Sequence, residues 1–182
     1  MMRMARHQFI SSSVALAVML SASLAFAAEN RPGSQDAPSL LQEAKDAARE
    51  IADDAHLRDT ALRGIAAAQA EEGRFDAALE TAALIADEYL RTGAWRQIAV
   101  ARARAGNREA AVKLLDKVLQ AAAAFKNVHL IRVEALIATA EAQAQIGDVP
   151  GALKTAVSVG NLRGKAEALR NIALVQTKGG DV

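Results

Sequence analysis

The chain has 182 residues, with 22 basic and 21 acidic side chains, three histidines and no cysteine. So even a charge balance excludes a general attraction to nucleic acid or to an anionic membrane. The missing cysteines exclude disulfide staples, thiolate catalysis and Cys-ligated metal sites.

The first segment reads as a targeting signal. Arg3 and Arg6 form a positive start, an apolar stretch runs from Val14 to Leu24, and Ala25-Phe26-Ala27 has the small-x-small form of a cleavage site. The apolar stretch is too short and too broken by serine to cross a bilayer core of about 30 Å. The reading is a secretory signal over 1–27, cut after Ala27, giving a periplasmic or secreted protein with no stable membrane insertion. The 155 residues left carry 20 basic and 21 acidic side chains. That is enough chain for one domain with a core. Residues 28–38 read as a flexible leader, polar with Pro and Gly, and the folded domain as 39–182.

Alanine makes up about a quarter of the chain, which favours helices that approach closely. A leading helix is expected over about 39–54, with Ser39 as its cap. Beyond it the chain aligns on Gly73, Gly106, Gly147 and Gly180, spaced by 33, 41 and 33 residues. Eleven before each glycine stand Leu62, Trp95, Leu136 and Leu169. Eight before stand Ile65, Ile98, Thr139 and Ile172, and seven before stand Ala66, Ala99, Ala140 and Ala173. Leu62, Ile65, Ala66 and Gln69 fall on one helical face. Each glycine closes its helix, where a left-handed residue is needed.

Each unit is therefore a helix, a tight turn and a second helix. First helices are expected over about 58–72, 91–105, 130–146 and 164–178. Second helices are expected over about 75–88, 108–125 and 149–158. Asp76 and Asp148 sit where a carboxylate caps free amides, and Pro150 fits a first turn. The eight extra residues of the middle spacing are placed at the end of the helix through Ala121–Ala124 and in the loop near Lys126–His129.

The pattern resembles the tetratricopeptide repeat. The large residue early in the first helix is Leu62, Trp95, Leu136 or Leu169. The Leu-Gly pair becomes Ile65-Ala66, Ile98-Ala99, Thr139-Ala140 and Ile172-Ala173. The small residue of the second helix is Ala78, Ala111 or Ala152. Two features depart from the family: its internal aromatic is replaced by Gln69, Arg102, Gln143 and Gln176, and its closing proline is missing. The resemblance covers about 58–182. It implies an all-α, right-handed α-solenoid of antiparallel helix pairs, about three and a half repeats, behind a leading helix.

The resemblance also implies which positions line the concave face. Ten before each glycine stand Arg63, Arg96, Ile137 and Arg170. Six before stand Ala67, Val100, Glu141 and Leu174, and two before stand Glu71, Arg104, Gln145 and Lys178. The candidate groove is Arg63, Arg96, Arg104, Arg170, Lys178 and Glu141. Guanidinium groups fork onto carboxylates, so the expected partner is an extended protein or peptide segment with a carboxylate held through Arg63, Arg96 and Arg104. The alternative is that these arginines pair with Glu71, Glu134 or Glu167.

Fifteen before each glycine stand Arg58, Arg91, Arg132 and Lys165, read as cations complementing the end of the preceding helix. The Gln69, Arg102, Gln143 and Gln176 column falls on a buried face and needs partners. A polar ladder along the stack is one solution, with Asp76 or Glu109 serving Arg102.

An inventory of catalytic groups yields no enzyme. His56 and His129 lack a metal-binding spacing. The pairs Asp53-Asp54 and Glu71-Glu72 are adjacent on helices, so their side chains diverge. No nucleophile elbow and no phosphate loop is present, and no cofactor is expected. The expected role is a non-catalytic binding adaptor or scaffold. The alternative is a homo-oligomer, stacking through a last unit that stops after its first helix near Leu169, Ile172 and Val175.

Overall fold

The computed structural model describes residues 37–51, 53–124 and 129–179, and every regular element among them is a helix. In chain order these are α1 (Ala37–Arg49), α2 (Ala55–Glu71), α3 (Phe75–Ala83), α4 (Glu88–Arg104), α5 (Arg108–Ala124), α6 (His129–Gln145), α7 (Val149–Ser158) and α8 (Leu162–Gly179). None is long and apolar enough to cross a membrane. The signal segment, most of the leader, residues 125–128, which hold most of the loop expected near Lys126–His129, and the turn expected at Gly180 lie outside the described residues.

Three of the aligned glycines close helices in one way. Gly73, Gly106 and Gly147 have φ of 76°, 84° and 80°. The residue after each glycine donates its N–H to a carbonyl five positions back: Arg74 to Gln69 (2.8 Å), Asn107 to Arg102 (2.9 Å) and Asp148 to Gln143 (2.8 Å). Each glycine donates to the carbonyl three back, at 2.9–3.0 Å. Two orphaned carbonyls are satisfied per turn, in a conformation that costs other residues about 1–2 kcal/mol.

Side chains start the helices. Asp54 accepts from the Leu57 N–H (3.0 Å), Asp87 from Leu90 (2.8 Å), Asp148 from Gly151 (3.1 Å) and Asn161 from Gly164 (2.6 Å). These caps open α2, α4 and α8 two to three residues before the expected boundaries, and α6 starts one residue early. Four expectations are corrected here. Asp76 caps nothing; it lies in the first turn of α3, where the cap position is Arg74. Ser39 is inside the first turn of α1, which begins at Ala37 and so takes two residues from the expected leader. The second helix expected over 75–88 ends at Ala83, because Asp87 caps the next helix. Asp54 is likewise a cap outside a helix, so Asp53-Asp54 is not a helical pair.

The middle insertion is helix. α3 has 9 residues and α5 has 17, while four residues follow each before the next helix begins. The eight-residue excess equals the extra length of α5, about two further helical turns.

Packing follows neighbours in the chain. α2 packs on α3 and α4, α4 on α5 and α6, and α6 on α7 and α8. α3 also touches α4, α5 touches α6, α7 touches α8, and α1 touches α2. Ala66, Ala99 and Ala140 are fully buried at the same position of α2, α4 and α6. With no side chain beyond Cβ, they let the helix axes come together. Leu62, Ile85, Ile98, Leu115 and Val118 supply the largest buried apolar side chains, each stabilising by about 1.5–3 kcal/mol relative to exposure. The core is in two parts. One runs from α1 to α5 and reaches Ala142 and Ile146 at the end of α6; the other joins α6, α7 and α8, with Leu119 of α5 against it.

Gln69 and Gln143 are satisfied inside the first and third hairpins, not by a ladder between units. The Thr81 hydroxyl on α3 donates to Gln69 Oε1 on α2 at 2.8 Å, and Thr155 on α7 donates to Gln143 Oε1 on α6 at 2.7 Å. All four side chains are buried. In the middle hairpin Arg102 and Leu114 hold the two positions. Arg102 lies over the Phe75 ring, 5.2 Å from its centroid, and reaches Asp76 at 3.5 Å. Glu109, the other candidate partner, is bonded to Lys113 at 2.6 Å.

Candidate binding cleft

A cleft of about 300 Å³ opens on the surface formed by α2, α4 and α6. Ala67 and Glu71 come from α2, Arg96, Val100 and Arg104 from α4, and Glu141 and Gln145 from α6. These are the positions ten, six and two before the turn glycines, brought to one side by three helices of equal length that end in equal turns. Three of the six candidate residues, Arg96, Arg104 and Glu141, line it directly.

Arg63 stands beside the cleft. Its side chain lies across Gly93, with Cδ 3.7 Å from where a Cβ would sit on that glycine. Gly93 thus leaves the surface of α4 open for Arg63 to cross toward Arg96. The pKa of Arg96 is lowered, first by burial. Tyr89, Glu141 and Glu134 act in the opposite direction, while Arg63 adds to the lowering. The Tyr89 hydroxyl is raised by burial and then by the Glu134 carboxylate next to it, against the smaller influence of Arg96 and Arg63. Two guanidiniums therefore repel each other over a partly buried floor.

The other polar groups are engaged. Arg104 Nη1 is 3.3 Å from Glu71 Oε1, an exposed ion pair between α4 and α2. Such a pair is worth only about 0–1 kcal/mol, but it occupies one of the three arginines proposed for a ligand. Glu141 accepts from Gln145 Nε2 (3.3 Å) and from Asn171 Nδ2 of α8 (3.2 Å). Arg170 is exposed and donates to Asn171 Oδ1 at 3.3 Å, and Lys178 is exposed near the end of α8. Neither Arg170 nor Lys178 lines the cleft. Among the described residues, Arg63 and Arg96 make no ion pair.

A second cavity of about 370 Å³ lies between α5, α6 and α7, with Leu119, Leu136 and Gln143 in its wall and Arg132 and Lys154 at its edge. Of the junction cations, Arg91 donates to the Ile85 carbonyl just past α3 at 2.9 Å, as its position suggested. Arg58 instead contacts Asp59 at 3.3 Å. Asp59 is a residue that sequence reasoning missed. It is 1% exposed and accepts the Asp87 N–H at 2.7 Å, tying the start of α2 to the cap of α4. Its only sequence signal is a carboxylate in a column otherwise held by Thr92, Val133 and Ala166.

Among the described residues, no group of three or more His, Asp or Glu side chains is placed to hold a metal ion. No protein-family model, curated protein or solved structure matches the chain.

Proposed function

We propose that the protein is an exported, non-catalytic adaptor that holds a carboxylate-bearing segment of another protein in the cleft on α2, α4 and α6. The observation that carries this is the Arg63–Arg96 pair. Two cations placed side by side and partly desolvated, without a carboxylate bonded to either, are stabilised by an anion supplied from outside. Guanidinium can accept a carboxylate through two parallel hydrogen bonds. The open, shallow form of the cleft suits an extended chain better than an enclosed small molecule. The packing of each hairpin on the next supports a right-handed solenoid, tetratricopeptide-like in its units, with this cleft as its inner face. The alanine-flanked signal segment supports export and retention in the periplasm or release.

The test is a pool of acidic peptides selected against the purified protein, followed by anisotropy measurements on the enriched sequences. Each charge-assisted bond is worth about 1.5–3 kcal/mol. Replacing both Arg63 and Arg96 by alanine should therefore weaken binding at least about tenfold, and added salt should weaken wild-type binding. Unchanged affinity in the double variant, or no enrichment of acidic sequences, would remove the reading.

A further inference from the structure

The two ends of the described fold carry complementary halves of one helix pair. In the first three pairs, the residues eleven, seven and four before the turn glycine face the second helix. In α2 they are Leu62, Ala66 and Gln69, all at 1% exposure or less. In α6 they are Leu136, Ala140 and Gln143, all buried, and in α4 Ala99 is buried while Trp95 and Arg102 are partly buried. In α8 the same positions are Leu169, Ala173 and Gln176, and all three are exposed, Leu169 at 39%. The other face of α8 is buried as in its counterparts, with Ala168 at 0% and Ile172 at 4% against α6. So α8 is a first helix whose surface for a second helix stands open.

α1 is the converse. It contacts α2 as α3 contacts α4, α5 contacts α6 and α7 contacts α8, so it occupies the place of a second helix. Unlike α3, α5 and α7, it has no first helix of its own among the described residues. Leu41, Lys45 and Ala48 are buried toward the body of the protein, while Leu40 and Ala47 are exposed and Ala44 is half-exposed. Leu40 and Ala47 extend an apolar stripe outward from Ala44, which itself packs against the core. The charges are complementary in sum. The exposed charges of α8 are Arg163, Glu167, Arg170 and Lys178, with a positive excess, while those on and beside α1 are Glu43, Asp46, Arg49 and Glu50, with a negative excess, Asp46 being paired with Arg49 at 3.2 Å.

We infer that α1 of a second copy docks on the open face of α8, completing a helix pair and joining molecules head to tail. The step that places α4 beside α2 within the chain then places α2 of the second copy beside α8 of the first. Such a contact is heterologous, so it leaves a free α8 and a free α1 at the two ends and adds further copies without closing. The inference rests on the helix-pair packing and is independent of the cleft, so loss of peptide binding would leave it intact.

The test is sedimentation velocity of the purified protein over a concentration series, with two single variants and their mixture. Wild type should grow past the dimer as concentration rises, and high salt should reverse the growth. Ala173→Glu blocks α8 at an exposed helical alanine, and Leu169→Glu repeats the block one turn earlier on the same face. Ala47→Arg blocks α1. Each variant alone should remain a monomer with wild-type circular dichroism. Mixing Ala173→Glu with Ala47→Arg leaves one intact α1 and one intact α8, so the mixture should form a one-to-one dimer and stop there. A wild-type monomer at all concentrations, covered by its own chain or by nothing, would overturn the inference. So would a dimer that Ala173→Glu abolishes and Ala47→Arg leaves unchanged, since that pattern means α8 pairs with α8.

Discussion

Replacing Thr81 by valine removes one hydroxyl from the interior of the α2–α3 hairpin with almost no change of shape. Thr81 is fully buried, and its hydroxyl donates to Gln69 Oε1 at 2.8 Å. Gln69 is 1% exposed, so water does not replace the lost donor freely. An unsatisfied buried acceptor costs about 1–3 kcal/mol, which corresponds to a fall in melting temperature of about 2–4 °C per kcal/mol for a domain near this size. Gln69→Leu should cost a similar amount, because it strands the Thr81 hydroxyl instead. The double variant removes both polar groups and should recover most of the loss, giving a coupling energy of about 1–2 kcal/mol. Urea denaturation followed by circular dichroism and by the fluorescence of Trp95, the one tryptophan, measures all four corners of the cycle. Strict additivity of the two single variants would refute the argument. The Thr155–Gln143 bond of the third hairpin, at 2.7 Å, should give the same cycle.

Two further outcomes are expected. Tyr89 is the one tyrosine in the chain, so absorbance at the phenolate band titrates it alone. Its midpoint should lie above the ordinary value of 10.0, because burial and Glu134 disfavour the phenolate. A folded pKa above the unfolded one means that the group's contribution to stability is complete below the unfolded value and is lost as pH climbs through the folded value; a midpoint at or below 10.0 contradicts the placement. Gly106→Ala should cost about 1–2 kcal/mol from its left-handed backbone alone, since nothing lies within 4 Å of the added methyl. Gly147→Ala should cost more, because its methyl also meets the Arg108 guanidinium at 3.3 Å, and equal melting temperatures for the two variants would contradict this.

The helices and their turns were legible because backbone requirements leave signatures that a single residue type satisfies. Only glycine takes a positive φ cheaply, so positions 73, 106 and 147 marked three turns. Counting back from them placed Arg96, Arg104 and Glu141 on one surface, since a helix repeats its faces with a fixed period. Helix starts were less legible, because an aspartate reads equally well as the end of one helix or the cap of the next. Asp87 is the case in point. Partners distant in the chain were not legible at all. Nothing in the column around Asp59 announces that its carboxylate receives an amide 28 residues away, and Gln69 and Gln143 gave no sign of whether they bond within a hairpin or between hairpins. Arg170 falls on the right helical face, but α8 carries it beyond the cleft to Asn171.

The divided interior has a mechanical consequence. The boundary between the two apolar clusters falls where α5 meets α6, and few large side chains cross it: Ile146 on one side and Leu119 on the other. The second cavity lies along the same seam. The cleft draws its walls from both sides, with Arg96 and Arg104 on α4 and Glu141 and Gln145 on α6. The gap between those walls therefore spans the boundary between the two clusters, and a guest bridging α4 and α6 would act as a brace across it.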